Sequence, residues 1–233
     1  MKTIILAGGL GTRLAEYTDK IPKPMVKVGN KPILSHIMNF YQSYGYNEFI
    51  IASGYKQEII QDYFKDSKEF ENLKIVDTGK DTMTGGRLLR LKSYIDENED
   101  FFMTYGDGLC SVNLEKLLKF HQNHKKIATV TAVHPPVRFG ELEIEGDDVT
   151  EFEEKSQAKA GWINGGFFTL NFKIFDYIKN DQTLFEKEPM TNLLKEKSLK
   201  AYKYTGFWKC MDTLRDKIDL EKILTDKGQI WMK

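Results

Sequence analysis

The chain has 233 residues, of which 41% are hydrophobic, 12% aromatic and 29% charged, as is typical of one large globular domain with a full core. This composition excludes a disordered or fibrous protein. The 34 lysine and arginine residues balance the 34 aspartate and glutamate residues, so the charge does not favour nucleic acid or an anionic membrane surface as a partner. We therefore expect small-molecule ligands, with no nucleic acid and no membrane among the partners.

Two further features bear on where the protein works. No apolar run approaches the roughly 18 to 20 residues needed to span a bilayer, and the run at residues 3–7 is too short for the apolar core of a signal peptide. We expect a cytoplasmic protein in which Cys110 and Cys210 stay reduced, although their positions alone leave a disulfide between them open. Neither cysteine has the spacing of a metal ligand.

The first half of the chain alternates short apolar runs with segments of helical period. Predicted strands cover residues 3–7, 48–53, 73–76 and 101–105, and predicted helices cover residues 33–44, 56–64 and 88–95. Apolar side chains recur at helical spacing, as at Ile33, Ile37 and Tyr41, so these helices have an apolar face to lay on a sheet. This order predicts an α/β fold with a mainly parallel sheet and crossover helices.

The second half begins in the same way, with a predicted helix at residues 113–123 and a predicted strand at residues 128–133. Residues 139–171 then carry short strands with turn signals at Gly146 and Gly161, which indicate an added lid-like section of mixed or antiparallel strands. Predicted helices at residues 172–180 and 189–197, a strand at 201–204 and a terminal helix from Asp212 complete the chain. No repeat or Pro-rich linker divides it, so residues 1–233 are interpreted as a single domain.

Three glycines in four positions follow the first predicted strand, in the stretch LAGGLGTRL. A glycine-rich turn between a strand and a helix lets backbone N–H groups converge on an anion, because the chain can approach it closely. The spacing matches neither the Rossmann nor the P-loop pattern, and a tight turn without a ligand is the alternative. Arg13 can grip a phosphate with two nitrogens, and Lys23, held between Pro22 and Pro24, presents a point charge from a stiff segment. Together these features predict a phosphate site.

The stretches LAGGLGTRL, IPKPM and VGNKPIL resemble the nucleotidylyltransferase family that makes nucleoside-diphosphate sugars. The resemblance implies the nucleotide-diphospho-sugar transferase fold: a Rossmann-like three-layer sandwich with a mainly parallel mixed sheet and a small β-rich lid section. It also implies that a nucleoside triphosphate lies on the glycine loop. Residues 1–112 would then form the nucleotide-binding half of the domain, and residues 113–233 the acceptor-binding half.

Later segments resemble the glucose-1-phosphate cytidylyltransferases in order and spacing: DTMTGGRLLRL, TYGDGL, PPVRFGELEI, EFEEK, GWINGGFF and GFWKCMDTLRDK. This resemblance implies CTP as the nucleotide and a phosphorylated sugar as the acceptor, with glucose 1-phosphate as the default. Another sugar or polyol phosphate is the first alternative, and a relative that uses GTP, UTP or dTTP is the second. A non-catalytic nucleotide-sensing protein is the third alternative, but the chain keeps all five residues to which the resemblance assigns catalysis: Arg13, Lys23, Asp107, Lys155 and Asp212.

The resemblance also implies roles for individual residues. Asp107 follows a predicted strand, at the edge where open α/β sheets bind ligands, and would share one Mg²⁺ with Asp212. A helix-capping role is the alternative for Asp212. Gly85 and Gly86 would lie against the base, and Arg87 would reach phosphate. The implied nucleotide contacts are Leu6, Ala7, Gly8, Gly9, Gly11, Thr12, Arg13, Lys23, Thr84, Gly85, Arg87, Tyr105 and Gly106. The implied acceptor contacts are Gly140, Glu154, Lys155, Asn164 and Gly165.

The chain departs from this family pattern at three points. Tyr63 and Phe64 are followed at once by residues 65–76 and then by Asp77, whereas the cytidylyltransferases carry a long insertion there that helps complete the nucleotide site and the subunit contacts. The sequence therefore leaves open whether the protein forms a homo-oligomer. Ser156 stands where the family tends to have proline, and Cys210 lies close to Asp212. The departures affect the acceptor side and the periphery more than the triphosphate site.

Overall fold

The computed structural model describes residues 1–135, 141–153 and 161–233, and for residues 141–143 and 151–153 the backbone alone. Its strands are β1 (Lys2–Leu6), β2 (Lys27–Val28), β3 (Lys31–Pro32), β4 (Glu48–Ser53), β5 (Asn72–Asp77), β6 (Asp100–Tyr105), β7 (Gly108–Cys110), β8 (Ala128–Val133), β9 (Glu141–Glu145), β10 (Asp148–Glu153), β11 (Ile163–Asn171), β12 (Leu199–Lys203) and β13 (Trp208–Cys210). Gly140, Glu154, Lys155 and Ser156 lie outside the described residues.

The helices lie between these strands, as the alternating pattern predicts. They are α1 (Ala15–Thr18), α2 (Ile33–Gln42), α3 (Gln57–Phe64), α4 (Thr84–Leu89), α5 (Leu114–His124), α6 (Glu188–Lys195) and α7 (Leu214–Lys227). Short 3₁₀ turns cover Thr12–Leu14, Lys23–Met25, Lys92–Tyr94 and Phe172–Tyr177. No helix in the described part of the chain is long and apolar enough to cross a bilayer.

The described strands form a seven-stranded sheet in the order β12-β8-β11-β6-β1-β4-β5. The pairs β1–β4, β1–β6, β4–β5 and β8–β12 are parallel, whereas β11 pairs antiparallel with both β6 and β8. Alternate side chains of β1 enter two cores, with Ile5 on one face and Ile4 on the other. Helices α2, α5 and α7 cover the first face, and α4 and α6 cover the second. The predicted three-layer α/β sandwich with a mainly parallel mixed sheet is confirmed.

The added β section differs in part from its prediction. Strands β9 and β10 form a separate antiparallel hairpin, as expected of a small lid section. Strand β11, which the sequence pattern assigns to this section, belongs to the main sheet, where Phe168 pairs with Met103 on one side and Val130 on the other. The run from Gly166 to Leu170 is buried on both faces of the sheet, which explains why its sequence is almost continuously apolar. The assignment of separate nucleotide and acceptor halves stays a prediction.

Candidate active site

A cavity of about 880 Å³ opens at the carboxyl ends of β1 and β6, the edge at which α/β sheets bind ligands. Its lining comes from separated parts of the chain: the glycine loop, the segment before α4, the end of β6, the start of β11 and the segment from Trp208 to Asp212. The predicted nucleotide contacts Leu6, Ala7, Gly8, Gly9, Gly11, Thr12, Arg13, Lys23, Thr84, Arg87, Tyr105 and Gly106 all line it, and so do Asp107, Asn164, Gly165 and Asp212. The structure therefore brings these residues together in one place, whereas Gly85 is not among the residues that line the cavity.

The glycine loop presents its backbone to this cavity. Ala7 ends the strand ladder by donating to the Ala52 carbonyl, and Leu14 donates to the Gly11 carbonyl where the first 3₁₀ turn begins. Between them, no described residue accepts a hydrogen bond from the backbone N–H groups of residues 8–13. Gly11 takes a positive φ of 66°, which turns the chain into the helical segment. A row of unpaired N–H groups on a tight turn is suited to an anion.

Lys23 lies in the wall of the cavity, between the two aspartates. It opens a short 3₁₀ turn after Pro22, and its side chain is only 10% exposed. Its ammonium nitrogen donates to Asp107 Oδ2 at 2.6 Å and to Asp212 Oδ1 at 2.6 Å. Burial works to lower the pKa of Lys23, but Asp107 and then Asp212 outweigh it and raise that pKa. Lys23 is therefore a fixed positive charge held between two carboxylates.

Asp212 is aimed into the cavity by the way α7 is capped. Helix α7 begins at Leu214, and Thr213 caps it in a reciprocal pair with Asp216, whose carboxylate also accepts from the Asp212 N–H. The alternative that Asp212 itself caps this helix is therefore wrong. Its carboxylate instead accepts from Lys23 and from Arg13 Nη1 at 2.8 Å. Burial works to raise the pKa of Asp212, but Lys23 and then Arg13 outweigh it and lower that pKa.

Asp107 and Asp212 fit the predicted metal site in their chemistry. One nitrogen lies 2.6 Å from an oxygen of each carboxylate, so the two carboxylates face a common point where a cation already sits. The described residues contain no group of three or more acidic, histidine or cysteine side chains that would form a complete metal cage. Two carboxylates without such a cage suit Mg²⁺, which keeps several waters and takes further oxygens from phosphates.

Arg87 is anchored to the protein in the wall of the cavity, and its expected contact with phosphate stays a prediction. It lies in the cavity wall but is only 4% exposed, and its two terminal nitrogens donate to four backbone carbonyls and one hydroxyl. Every hydrogen bond that the structure gives this guanidinium therefore goes to the protein itself. The Arg87 cation is part of the scaffold on which the cavity is built.

The packing of α4 explains why residues 85 and 86, just before Arg87, are both glycine. A Cβ atom on Gly85 would lie 2.7 Å from the Thr183 carbonyl oxygen, and one on Gly86 would lie 2.3 Å from the Asp181 carbonyl oxygen. The N–H groups of both glycines donate to Thr183 O, at 2.9 and 3.2 Å. These glycines let α4 dock directly on the backbone of residues 181–185. Their expected contact with a nucleotide base stays a prediction.

On the acceptor side, Asn164 and Gly165 lie at the start of β11. Asn164 Oδ1 accepts from the Gly166 N–H at 2.8 Å, and Trp208 Nε1 donates to the Gly165 carbonyl at 2.7 Å. Tyr105 also lines the cavity, and its hydroxyl donates to Glu186. Burial, and then Glu186, raise the pKa of Tyr105 well above its usual value, so it stays a neutral hydrogen-bond donor.

The sequence interpretation missed two parts of the site. Glu186 accepts from both the Tyr105 hydroxyl and the Thr84 hydroxyl, the latter at 2.7 Å, and so links the end of β6 to the start of α4. Nothing in the local pattern around residue 186 separates this carboxylate from its charged neighbours. Cys210 also lines the cavity, 3.6 Å from Asp212 Oδ2, and burial together with Asp212 raises its pKa to about 12. Both cysteines are free, as expected.

Comparisons with known proteins agree with this geometry. The model of the nucleotidyl transferase family matches residues 2–226. Glucose-1-phosphate cytidylyltransferase from Salmonella typhi is 45% identical over 251 aligned positions, which cover 98% of this chain and 97% of that protein. A protein named "Probable glucose-1-phosphate cytidylyltransferase" from Bacillus subtilis is 42% identical over 253 positions, covering 99% of each chain. A solved UDP-glucose pyrophosphorylase complexed with UDP-glucose matches with a TM-score of 0.75 at 20% identity, covering 97% of this chain and 98% of that one.

Both sequence alignments are longer than this chain, at 251 and 253 positions against 233 residues. Each relative therefore carries residues that have no counterpart here. This agrees with the short connection between α3 and β5, where the described chain passes from Phe64 to Asn72 without an added element.

Proposed function

The chain belongs to the nucleotidyl transferase family, and we propose that it transfers the CMP group of CTP to glucose 1-phosphate, giving CDP-glucose and pyrophosphate. The observation that carries this proposal is identity of 42 to 45% over nearly the full length of cytidylyltransferases that act on this sugar phosphate. The cavity supports it, because it combines an anion-binding loop, two cations and two carboxylates at the carboxyl edge of the sheet.

The reaction is an in-line displacement. A phosphate oxygen of the acceptor attacks the α-phosphorus of CTP, a new P–O bond forms, and the bond from the α-phosphorus to the bridging oxygen breaks as pyrophosphate leaves. A phosphate monoester is already largely dianionic at neutral pH, since its second pKa is about 6, so no strong general base is needed. The protein has to hold two anions in register and offset the charge that builds up on the transferred group.

The described residues can meet this demand. The N–H groups of residues 8–13 and the guanidinium of Arg13, whose side chain is 72% exposed, face the side of the cavity where the triphosphate would lie. Lys23 supplies a second cation in a nearly dry position, where each charge interaction is stronger than in water. The acceptor would lie near Asn164 and Gly165. The predicted acceptor contacts Gly140, Glu154 and Lys155 lie outside the described residues and stay predictions.

Mg²⁺ would be held by Asp107 and Asp212 and would supply positive charge to the phosphates when bound. Since the Lys23 ammonium lies between these carboxylates, it has to exchange partners as substrate enters, passing from the carboxylates to phosphate. We place this reaction in the cytoplasm, as a source of activated sugar for surface polysaccharide. A homo-oligomer also stays a proposal.

The test is pyrophosphate release by the purified protein with Mg²⁺, in a matrix of the common nucleoside triphosphates and a panel of sugar and polyol phosphates. We expect release with CTP and glucose 1-phosphate, and formation of CDP-glucose shown by mass spectrometry. Asp107→Asn should lose most of this turnover, while Asp219→Asn, which removes an exposed carboxylate from helix α7, should keep it.

Three results would contradict the proposal. Release with CTP and only a different acceptor would keep the cytidylyl transfer and replace the sugar. Release with GTP, UTP or dTTP in preference to CTP would replace the nucleotide. Silence across the whole matrix, from a folded protein that still binds CTP, would favour the nucleotide-sensing alternative.

A further inference from the structure

The guanidinium of Arg87 joins the carboxyl ends of three neighbouring strands and the loops that follow them. Nη2 donates to Gly8 O at 2.8 Å, after β1, and to Lys80 O at 3.1 Å. Nη1 donates to Ser53 O at 3.1 Å, at the end of β4, and to Thr78 Oγ1 and Gly79 O at 2.8 and 2.7 Å, after β5. Strands β1, β4 and β5 lie side by side in the sheet. One side chain therefore ties together three adjacent loops at the edge of the cavity.

This arrangement is a demanding one for a buried charge. No carboxylate accepts a hydrogen bond from Arg87 among the described residues, and burial lowers its pKa, with Asp77 opposing that shift from a distance. An arginine side chain stays protonated in proteins, so five neutral oxygens have to replace the water that it has lost. The guanidinium is thus held by backbone groups that cannot rearrange without moving the loops.

Two glycines lie directly against this side chain. A Cβ atom on Gly8 would lie 2.1 Å from Arg87 Nη1, and a Cβ atom on Gly54 would lie 2.4 Å from the same nitrogen and 2.7 Å from the Gly79 carbonyl oxygen. No real Cβ atom tolerates such distances. The first glycine of the LAGGLG loop is therefore there to admit the guanidinium, which links the sequence of the loop to a residue that lies 79 positions away.

We propose that Arg87 is the positioning residue of the anion-binding loop, acting on the triphosphate through the Gly8–Gly9 peptide. The Gly8 carbonyl is fixed from one side by Arg87 and by the Tyr55 N–H at 3.2 Å. In a planar trans peptide the next N–H points the opposite way, so the Gly9 N–H is turned away from the guanidinium and no described residue accepts it. This inference rests on the proposed function, because it names the CTP triphosphate as the anion.

The first test measures CTP binding by isothermal titration calorimetry, together with KM for CTP and KM for the acceptor, in Arg87→Met and Arg87→Lys. We expect CTP to bind roughly 10- to 100-fold more weakly to Arg87→Met, since charged hydrogen bonds that fix the loop are lost. Arg87→Lys should recover part of this affinity, because an ammonium reaches some of the five acceptors but not all. KM for the acceptor should change less than about 2-fold in both variants, as expected for an acceptor site that is energetically independent of Arg87.

A merely structural role predicts a different pattern. Partial unfolding would lower the active fraction, and so would reduce kcat while both KM values stayed as they are. Arg90 provides the matched control: it lies one turn further along the same segment, is exposed, and pairs with Asp181 on the surface. Arg90→Met should leave CTP affinity and both KM values unchanged.

Thr78→Val is the milder variant in case Arg87→Met does not fold. It removes one acceptor of Nη1 with nearly the same side-chain shape, and Thr78 is buried and is not among the residues that line the cavity. The variant also removes the hydrogen bond that the Thr78 hydroxyl donates to the Ser53 carbonyl at 2.6 Å. We expect roughly 2- to 5-fold weaker CTP binding, with KM for the acceptor unchanged. Wild-type affinity in folded Arg87→Met, or in Thr78→Val if the former is unfolded, overturns the inference. Absence of CTP binding in the unaltered protein would instead overturn the proposed function.

Discussion

Lys23 and Arg87 are both buried cations in the wall of one cavity, and they are satisfied in opposite ways. Lys23 is held by two carboxylate side chains at 2.6 Å. Arg87 is held by four backbone carbonyls and one hydroxyl, from loops after three adjacent strands. Side-chain carboxylates can turn toward another partner, whereas backbone carbonyls in packed loops cannot. Lys23 is therefore built to exchange its partners during a reaction, and Arg87 is built to stay where it is.

The chemistry of lysine and arginine accounts for this difference between the two cations. Both residues belong to segments that resemble the same family, and both were expected to reach phosphate. Their types already differ: a lysine offers a compact charge on a flexible stem, and an arginine offers a planar set of donors that can span several carbonyls. The planar donor set is what a fixed junction between three loops requires.

The largest effect expected from this contrast is that of Lys23→Met. It removes a positive charge from a nearly dry position beside the reacting phosphates, so kcat should fall about 10²- to 10³-fold while the fold is kept. The two carboxylates would then face each other without a cation. Mn²⁺ should therefore bind the variant more tightly than the unaltered protein in the absence of nucleotide, as measured by electron paramagnetic resonance.

The control for Lys23→Met is Lys179→Met, which removes an exposed lysine that pairs with Glu188 far from the cavity. It should keep both turnover and Mn²⁺ binding. If Lys23→Met kept near-native turnover, Lys23 would be a scaffold residue like Arg87, and the contrast between the two cations would fail.

Asp212→Asn should have the next largest effect. The amide keeps the shape of the side chain but removes one negative charge from the proposed metal site, which should weaken Mg²⁺ binding and lower turnover by about 10²-fold. Raising the Mg²⁺ concentration should recover part of the activity, and a Mg²⁺ titration of the rate measures this. If the rate of the variant depends on the Mg²⁺ concentration in the same way as the rate of the unaltered protein, Asp212 does not hold the metal.

Much of the fold follows from patterns within the sequence. The strands Glu48–Ser53 and Ala128–Val133 have the bounds that their apolar runs predict. The exceptions have physical reasons. Helix α4 begins at Thr84 and ends at Leu89, whereas its apolar period predicts residues 88–95, because Gly85 and Gly86 weaken the helix signal while their contact with residues 181–185 stabilises the helix. Strand β11 was grouped with the lid because its neighbours in the sheet lie far away in sequence.

The candidate site could be predicted only in part. The position of Asp107 follows from the rule that ligands bind at the carboxyl ends of strands. The meeting of Asp107 with Asp212 came from resemblance alone, because nothing local connects residues 105 positions apart. The burial of Arg87 and the role of Glu186 could not be predicted at all, since a single sequence does not show which charged side chain faces the protein interior.

Gly86→Ala tests the scaffold side of the comparison at the level of stability. A Cβ atom there would lie 2.3 to 2.6 Å from three backbone atoms of Asp181, so the backbone has to move, and we expect unfolding to become about 1 to 3 kcal/mol easier. Gly9→Ala is the matched substitution, because no atom lies within 4 Å of its added Cβ and its φ is ordinary. Its stability should change by less than about 0.5 kcal/mol. Urea denaturation of both variants measures the difference, and equal stabilities would contradict the docking argument.

His36 is a third buried basic group, and it has far fewer hydrogen-bond partners than Lys23 or Arg87. Its Nε2 lies 2.9 Å from the Val28 carbonyl, and Nδ1 has no hydrogen-bond partner among the described residues. Burial lowers the pKa of His36, while the Val28 carbonyl opposes that shift. Unlike Lys23 and Arg87, this group keeps too few acceptors to hold a positive charge, so it is expected to be neutral in the folded protein.

The consequence is a dependence of stability on pH. The unfolded chain takes up a proton at His36 near pH 6.5 and the folded chain only at lower pH, so the free energy of unfolding should decrease as pH falls below about 6.5. The slope is at most about 1.4 kcal/mol per pH unit for this group. His124, whose pKa burial also lowers, adds to the slope in the same direction. His36→Gln keeps a donor for Val28 but cannot be protonated, so denaturant unfolding between pH 5 and 7.5 should show a shallower slope. An unchanged slope would mean that His36 keeps its proton inside the fold, and that one carbonyl is enough to hold a buried positive charge.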